Sequence, residues 1–181
     1  MDSPQPDPGG RIGADHQRPG AALYTDAQRQ RRDASRWTLV QGVLAPLQFL
    51  VFLISVVLVW RFLATGEGQG VATASVVIKT MTLYTIMITG CLWEKDVFGV
   101  YLFAPAFYWE DMVSMLVLAL HTLYLMVLIG DLASARLQMQ IALAAYLVYL
   151  INAAQFVLKL RAARLGARRI SAPQVARQGV A

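Results

Sequence analysis

The sequence predicts an all-α membrane protein, a bundle of four transmembrane helices, and three observations carry that expectation. Of its 181 residues, 57% are apolar and 15% charged, with a mean hydropathy of +0.50, which is too apolar for an ordinary soluble domain. Four apolar runs, at about 37–63, 71–92, 112–129 and 139–158, each approach the roughly 20 residues a helix needs to cross a hydrocarbon core. The basic residues cluster just outside those runs, where they set topology and touch anionic lipid, so the net charge of +5 implies no nucleic-acid partner. The single Cys91 excludes an internal disulfide and a cysteine metal cage.

Residues 1–22 hold four of the seven prolines together with Gly9, Gly10, Gly13 and Gly20, and read as a disordered tail. Residues 1–36 contain no apolar core ahead of a small-residue cleavage site, so the first span is expected to be its own insertion signal. From Leu23 to Arg36, Thr25 followed by Gln28 is a capping pattern. This segment is either a short basic helix on the membrane surface or a solvated lead-in.

The membrane domain is expected over residues 23–165. Span one contains Pro46, which neighbouring helices can accommodate, and Gln41, Gln48 and Ser55 recur every seven residues on one inward face. The G-E-G-Q-G of residues 66–70 is a tight turn, and span two carries Lys79 among several threonines. Span three carries His121, a polar turn covers Asp131 to Gln138, and span four carries Asn152 and Gln155, which suit helix–helix contacts. Residues 166–181 form a basic, polar tail.

Four spans place both termini on one side. Arg29, Arg31, Arg32, Arg36, Lys159, Arg161, Arg164, Arg168 and Arg169 flank the terminal ends, whereas only Arg61 and Arg136 lie near the two short turns. The positive-inside rule therefore makes both termini cytoplasmic in a multi-pass inner-membrane protein, and the loop between spans two and three cytoplasmic as well.

That connecting stretch, W-E-K-D-V-F-G-V-Y-L-F-A-P-A-F-Y-W-E-D from Trp93 to Asp111, concentrates the chemistry. It holds four of the eleven acidic residues (Glu94, Asp96, Glu110 and Asp111) and two of the four tryptophans, Trp93 and Trp109. Glu110 and Asp111 also suit the dipole at the start of span three, and Trp93, Tyr108 and Trp109 suit an interfacial belt. Four carboxylates exceed what topology asks for.

Deeper in the membrane, the helical rise puts His121 roughly 15 Å and Lys79 roughly 12 Å from the ends of their spans, near the midplane of a core about 30 Å thick. A lysine there costs on the order of 2.5–3.5 kcal/mol on insertion scales. The 100° helical step aligns Glu110, Ser114, Val117, His121 and Tyr124 in one stripe. His121 is then either a hydrogen-bonded interior histidine or a ligand or proton carrier. There is no Walker loop, dinucleotide glycine pattern, H-E-x-x-H or nucleophile elbow.

Three runs carry a family resemblance: W-T-L-V-Q-G-V-L-A-P-L-Q-F-L-V-F-L from Trp37, W-E-K-D-V-F-G-V-Y-L-F-A-P-A-F-Y-W-E-D-M-V-S-M from Trp93, and Y-L-I-N-A-A-Q-F-V-L-K-L-R-A-A-R-L from Tyr149. Over roughly Tyr24 to Leu165 the chain resembles the 3-vinyl bacteriochlorophyllide (2-vinyl bacteriochlorophyllide) hydratase family. The resemblance implies bacteriochlorophyll biosynthesis and addition of water to the ring-A vinyl group of a chlorophyllide, giving a 1-hydroxyethyl group. Such a hydro-lyase needs no cofactor, since the substrate carries its own magnesium. Its partners would be the chlorophyllide, water, the lipid bilayer and neighbouring pigment-pathway enzymes.

Protonation of the terminal vinyl carbon should come first, from a carboxylic acid kept neutral by burial or by another carboxylate. Glu94 or Glu110 is the expected donor, with Asp96 or Asp111 orienting or deprotonating the water. Trp93 and Trp109 would line the macrocycle, Lys79 or Lys95 would pair with its propionate, and His121 would approach its magnesium as an axial ligand. A non-catalytic pigment-binding or delivery protein is the competing expectation. A proton-coupled transporter built on Lys79 and His121 is a third, but broken helices and an inverted repeat are missing.

Overall fold

The computed structural model describes residues 23–178, with side chains described through Leu165; the expected N-terminal tail lies outside them. The chain folds as α1 (Asp26–Ala34), α2 (Arg36–Thr65), α3 (Gln69–Phe98), α4 (Tyr108–Ile129) and α5 (Ala135–Gln178), with no strand among the described residues. α2, α3, α4 and α5 (to Leu165) are each long and apolar enough to cross a membrane.

Local chemistry sets the helix ends. Thr25 and Gln28 cap α1 reciprocally, side chain to backbone in both directions, as the sequence suggested. Ser35 then accepts the Trp37 N–H and opens α2. Left-handed glycines close α2 at Gly66 (φ 76°) and α3 at Gly99 (φ 84°), a backbone region other residues enter only with strain. Pro46 lies inside α2 without ending it. The helices outrun the apolar runs because backbone hydrogen bonding continues through charged turns. The Trp93–Asp111 stretch is thereby divided: Trp93–Phe98 finishes α3, Tyr108–Asp111 begins α4, and only residues 99–107 form a loop.

α2 packs mainly on α3, and α4 mainly on α5, while α5 also touches α2 and α3. Phe52, Val59, Val76, Leu83, Val117, Tyr124 and Tyr146 meet between these hairpins. The Phe52 ring lies 5.5 Å from that of Tyr146 and 4.9 Å from that of Tyr149. Large apolar side chains such as Leu39, Val57, Ile78, Ile88, Leu147 and Ile151 face outward. In water this surface would be one continuous liability, whereas lipid solvates it.

The interior is polar as well as apolar. Gln48 and Ser55 are buried, and the half-buried Gln41 donates to Thr89 Oγ1 (2.8 Å), so the seven-residue spacing does mark the inward face of α2. The α4 stripe is also borne out: Glu110, Ser114, Val117, His121 and Tyr124 are all buried, with Asp111 beside them. Cross-helix bonds tie the start of α2 to the end of α3 (Ser35 to Asp96) and the start of α4 to α5 beyond Phe156 (Glu110 to Lys159).

Candidate active site

Glu94, on the last turns of α3, and Asp111, on the first turn of α4, are each about 5% exposed. Each uses one carboxyl oxygen to hold the loop that joins their helices. Ala104 N donates to Glu94 Oε2 (3.1 Å), and the adjacent Phe103 N donates to Asp111 Oδ2 (2.9 Å). The two carboxyl groups face each other closely enough to interact directly. Two buried carboxylates that close would repel, which favours a proton on one of them. Such a pair can hold one proton and one charge, the arrangement that acid catalysis uses.

Holding the loop strains it. Phe103 has φ 60°, a left-handed conformation unusual for a bulky side chain and worth about 1–2 kcal/mol against it. The Asp111 bond to its N–H helps maintain that turn. The same turn projects Phe103 outward beside Pro105, Tyr108 and Trp109, which line an open cleft of about 490 Å³. Phe103 and Tyr108 pack at 5.7 Å, and Tyr108 and Trp109 meet edge to face at 5.6 Å. The acid pair and the aromatic cleft are therefore two sides of one loop.

Glu110 has a different partner. Lys159 on α5 forms an ion pair with its Oε2, and the Lys159 ammonium lies 5.0 Å from the centre of the Phe107 ring. Asn152 Nδ2 donates to the Glu110 carbonyl (3.0 Å) and to Ser114 Oγ (3.1 Å). The Glu110 and Lys159 charges both act on Asp111 next to them. A second aromatic cluster of Tyr24, Trp93, Phe98, Phe107 and Phe156 packs behind the loop. Burial pushes the Tyr24 hydroxyl above its ordinary range, opposed by the Arg32 guanidinium over its ring.

Of the residues expected at a site, Glu94, Glu110 and Asp111 are brought together at one end of the bundle. Asp96 is not with them: it is exposed and accepts a hydrogen bond from Ser35 Oγ (2.8 Å). Trp93 is half-buried, donates to Thr38 Oγ1 (2.9 Å), and packs on Phe98 and Phe107. Trp109 is 70% exposed at the cleft. Lys95 is exposed, donates to the Gly99 carbonyl (3.0 Å), and lies 5.0 Å from the Tyr101 ring centre. Lys79 and His121 are both fully interior, far below this end. Lys159 was missed as a site residue, since its charge read as one more topological signal among the arginines around it. The Phe103 and Ala104 amides left no sequence signal.

Four helices long and apolar enough to cross a membrane, with a loop-held carboxyl pair at one end of their bundle, define a polytopic membrane protein. The comparison of its sequence with known families is more specific. The model of the 2-vinyl bacteriochlorophyllide hydratase (BCHF) family matches residues 24–162, and the chain belongs to that family. A relative from Cereibacter sphaeroides named 2-vinyl bacteriochlorophyllide hydratase is 65% identical over 147 residues, spanning 81% of this chain and 91% of its own. One of the same name from Rhodobacter capsulatus is 63% identical over 146 residues, spanning 81% and 85%. No solved structure matches the chain.

Proposed function

We propose that this protein hydrates the ring-A vinyl group of a bacteriochlorophyllide, as its relatives' names describe, and that Glu94 and Asp111 are its acid–base pair. The observation that carries the chemistry is this buried carboxyl pair, fastened to the loop that lines an aromatic cleft. The macrocycle stacks in the cleft against Tyr108 and Trp109. Movement of the Phe103–Ala104 turn exposes the pair to the vinyl group. Glu94 gives its proton to the terminal carbon, leaving a cation next to the macrocycle and a negative charge on the pair. Water adds to the cation, and the proton it loses returns to the pair, so the site ends as it began. Negative charge on Asp111 and Glu110 stabilises the cation meanwhile.

Several expectations narrow accordingly. Glu110, its side chain engaged by Lys159, suits electrostatic support better than proton donation. Asp96, committed to Ser35 on the outer surface, takes no part. Lys95 at the loop rim, next to Tyr101, suits the substrate's propionate. His121 lies about 16 Å along α4 from Glu110, too deep to reach the magnesium of a ring held in the cleft. The chain's own residues supply the acid, the base and the electrostatics, and the substrate brings its magnesium with it. The arginines flanking α1, α2 and α5 support an inner-membrane placement with this end facing the cytoplasm.

The deciding assay is direct. Membranes containing the chain, supplied with vinyl bacteriochlorophyllide, should yield a product heavier by one water. Recovery of unchanged pigment bound to the protein would instead favour a carrier.

A further inference from the structure

We infer that Gln48, Lys79 and His121 form a water-binding site inside the bundle, and that it supplies the water consumed at the acid pair. The second half of this inference rests on the proposed hydration.

Among the buried polar atoms without a protein partner in the described residues are Lys79 Nζ, His121 Nε2 and Gln48 Oε1, at the centre of the membrane domain. Their residues are 0%, 1% and 3% exposed. They come from α3, α4 and α2 and converge on α5. Lys79 Nζ lies 3.7 Å from the centre of the Tyr149 ring, Gln48 lies near the same side chain, and the His121 ring is 5.7 Å from that of Tyr146. Beyond them Tyr146, Ser55 and Ser75 form a continuous hydroxyl chain at 2.6 and 2.7 Å.

The donor set selects the ligand. His121 Nδ1–H donates to the Val117 carbonyl (2.8 Å), which leaves Nε2 as an acceptor. Gln48 Oε1 also only accepts, whereas Lys79 donates. Two acceptors would repel an anion, and the amine would repel a metal cation. Water offers both roles and suits a buried polar site with several partners.

Between this site and the acid pair, Asn152 and Ser114 continue the polar face up to the Glu110 carbonyl. The macrocycle would occupy the cleft on the outer side of the loop, so water arriving through the bundle reaches the cation from the inner side. Attack would then fall on a single face.

Hydroxyl-radical footprinting by pulsed radiolysis, on the full chain in lipid nanodiscs, reads bound water where it sits. Tyr146 and Tyr149 should be oxidised several-fold faster than Met139, which is 0% exposed in the apolar core although intrinsically more oxidisable. Lys79→Met and Gln48→Leu should each slow labelling at Tyr149 and lower kcat several-fold with KM unchanged. The two variants remove different partners, so misfolding of one leaves the other to decide. Wild-type labelling no faster than at Met139 would show the site dry and overturn the inference. Fast labelling with wild-type kcat in both variants would overturn the supply role. Fast labelling in a chain that hydrates no vinyl substrate would uphold the water site and sink the hydratase reading instead.

Discussion

Glu94 and Asp111 hold two adjacent amides, those of Ala104 and Phe103, with their carboxyl groups side by side. One loop is thereby fastened to the ends of two helices, and two buried carboxyl groups are forced together at the fastening. A carboxyl pair placed only to fix a loop would not need an aromatic cleft on the loop's other face.

Glu94→Gln and Asp111→Asn should each lower the hydration rate by about 10²–10⁴-fold, the range general acid–base groups contribute. Product mass measured at matched protein level checks this. Asp96→Asn is the contrasting variant. It loses one exposed hydrogen bond to Ser35, costing at most about 1 kcal/mol, and should retain near-normal turnover.

The pH profile follows from the proposed proton donor. Turnover requires the pair to hold that proton, so the rate should fall as pH rises and the proton leaves. Asp111→Asn removes the neighbouring negative charge that helps retain it, and the alkaline limb of its residual activity should move to lower pH. A limb that stays in place would mean the titrating group is elsewhere.

Lys159→Met removes the ion-pair partner of the Glu110 carboxyl group at a mostly buried position. Thermal unfolding in detergent should show a loss of about 1–3 kcal/mol. Adding Glu110→Gln should restore part of it, because the unpaired charge is then gone. A double-variant loss equal to the sum of the two single-variant losses would show that the two residues act independently.

Phe103→Gly separates strain from binding. Glycine accepts φ 60° without penalty, so melting temperature should hold or rise. The cleft loses one wall, so the KM for the vinyl substrate should rise while protein level does not fall. Unchanged KM would place the macrocycle elsewhere.

Residue spacing made part of the site legible and hid the rest. The inward stripe of α4 could be read because successive residues turn by a fixed 100°. By the same rule Glu94 and Asp96, two residues apart, point to different faces of α3, yet nothing local says which face is inward. Glu110 and Asp111 also diverge, one towards Lys159 on α5 and the other towards Glu94 on α3. From sequence, Glu94 and Glu110 stood as alternative donors, and Asp96 and Asp111 as alternative partners for the water.

By itself, the sequence determined four membrane-crossing helices, the polar faces they turn inward, and a surplus of carboxyl groups at one end, because hydrophobic length and helical period are local properties of the chain. Only the tertiary structure decided that Glu94 pairs with Asp111, that Lys159 neutralises Glu110, and that Asp96 stands apart. Those contacts depend on which helix ends pack together and how a strained turn at Phe103 folds back between them, and no local period encodes either.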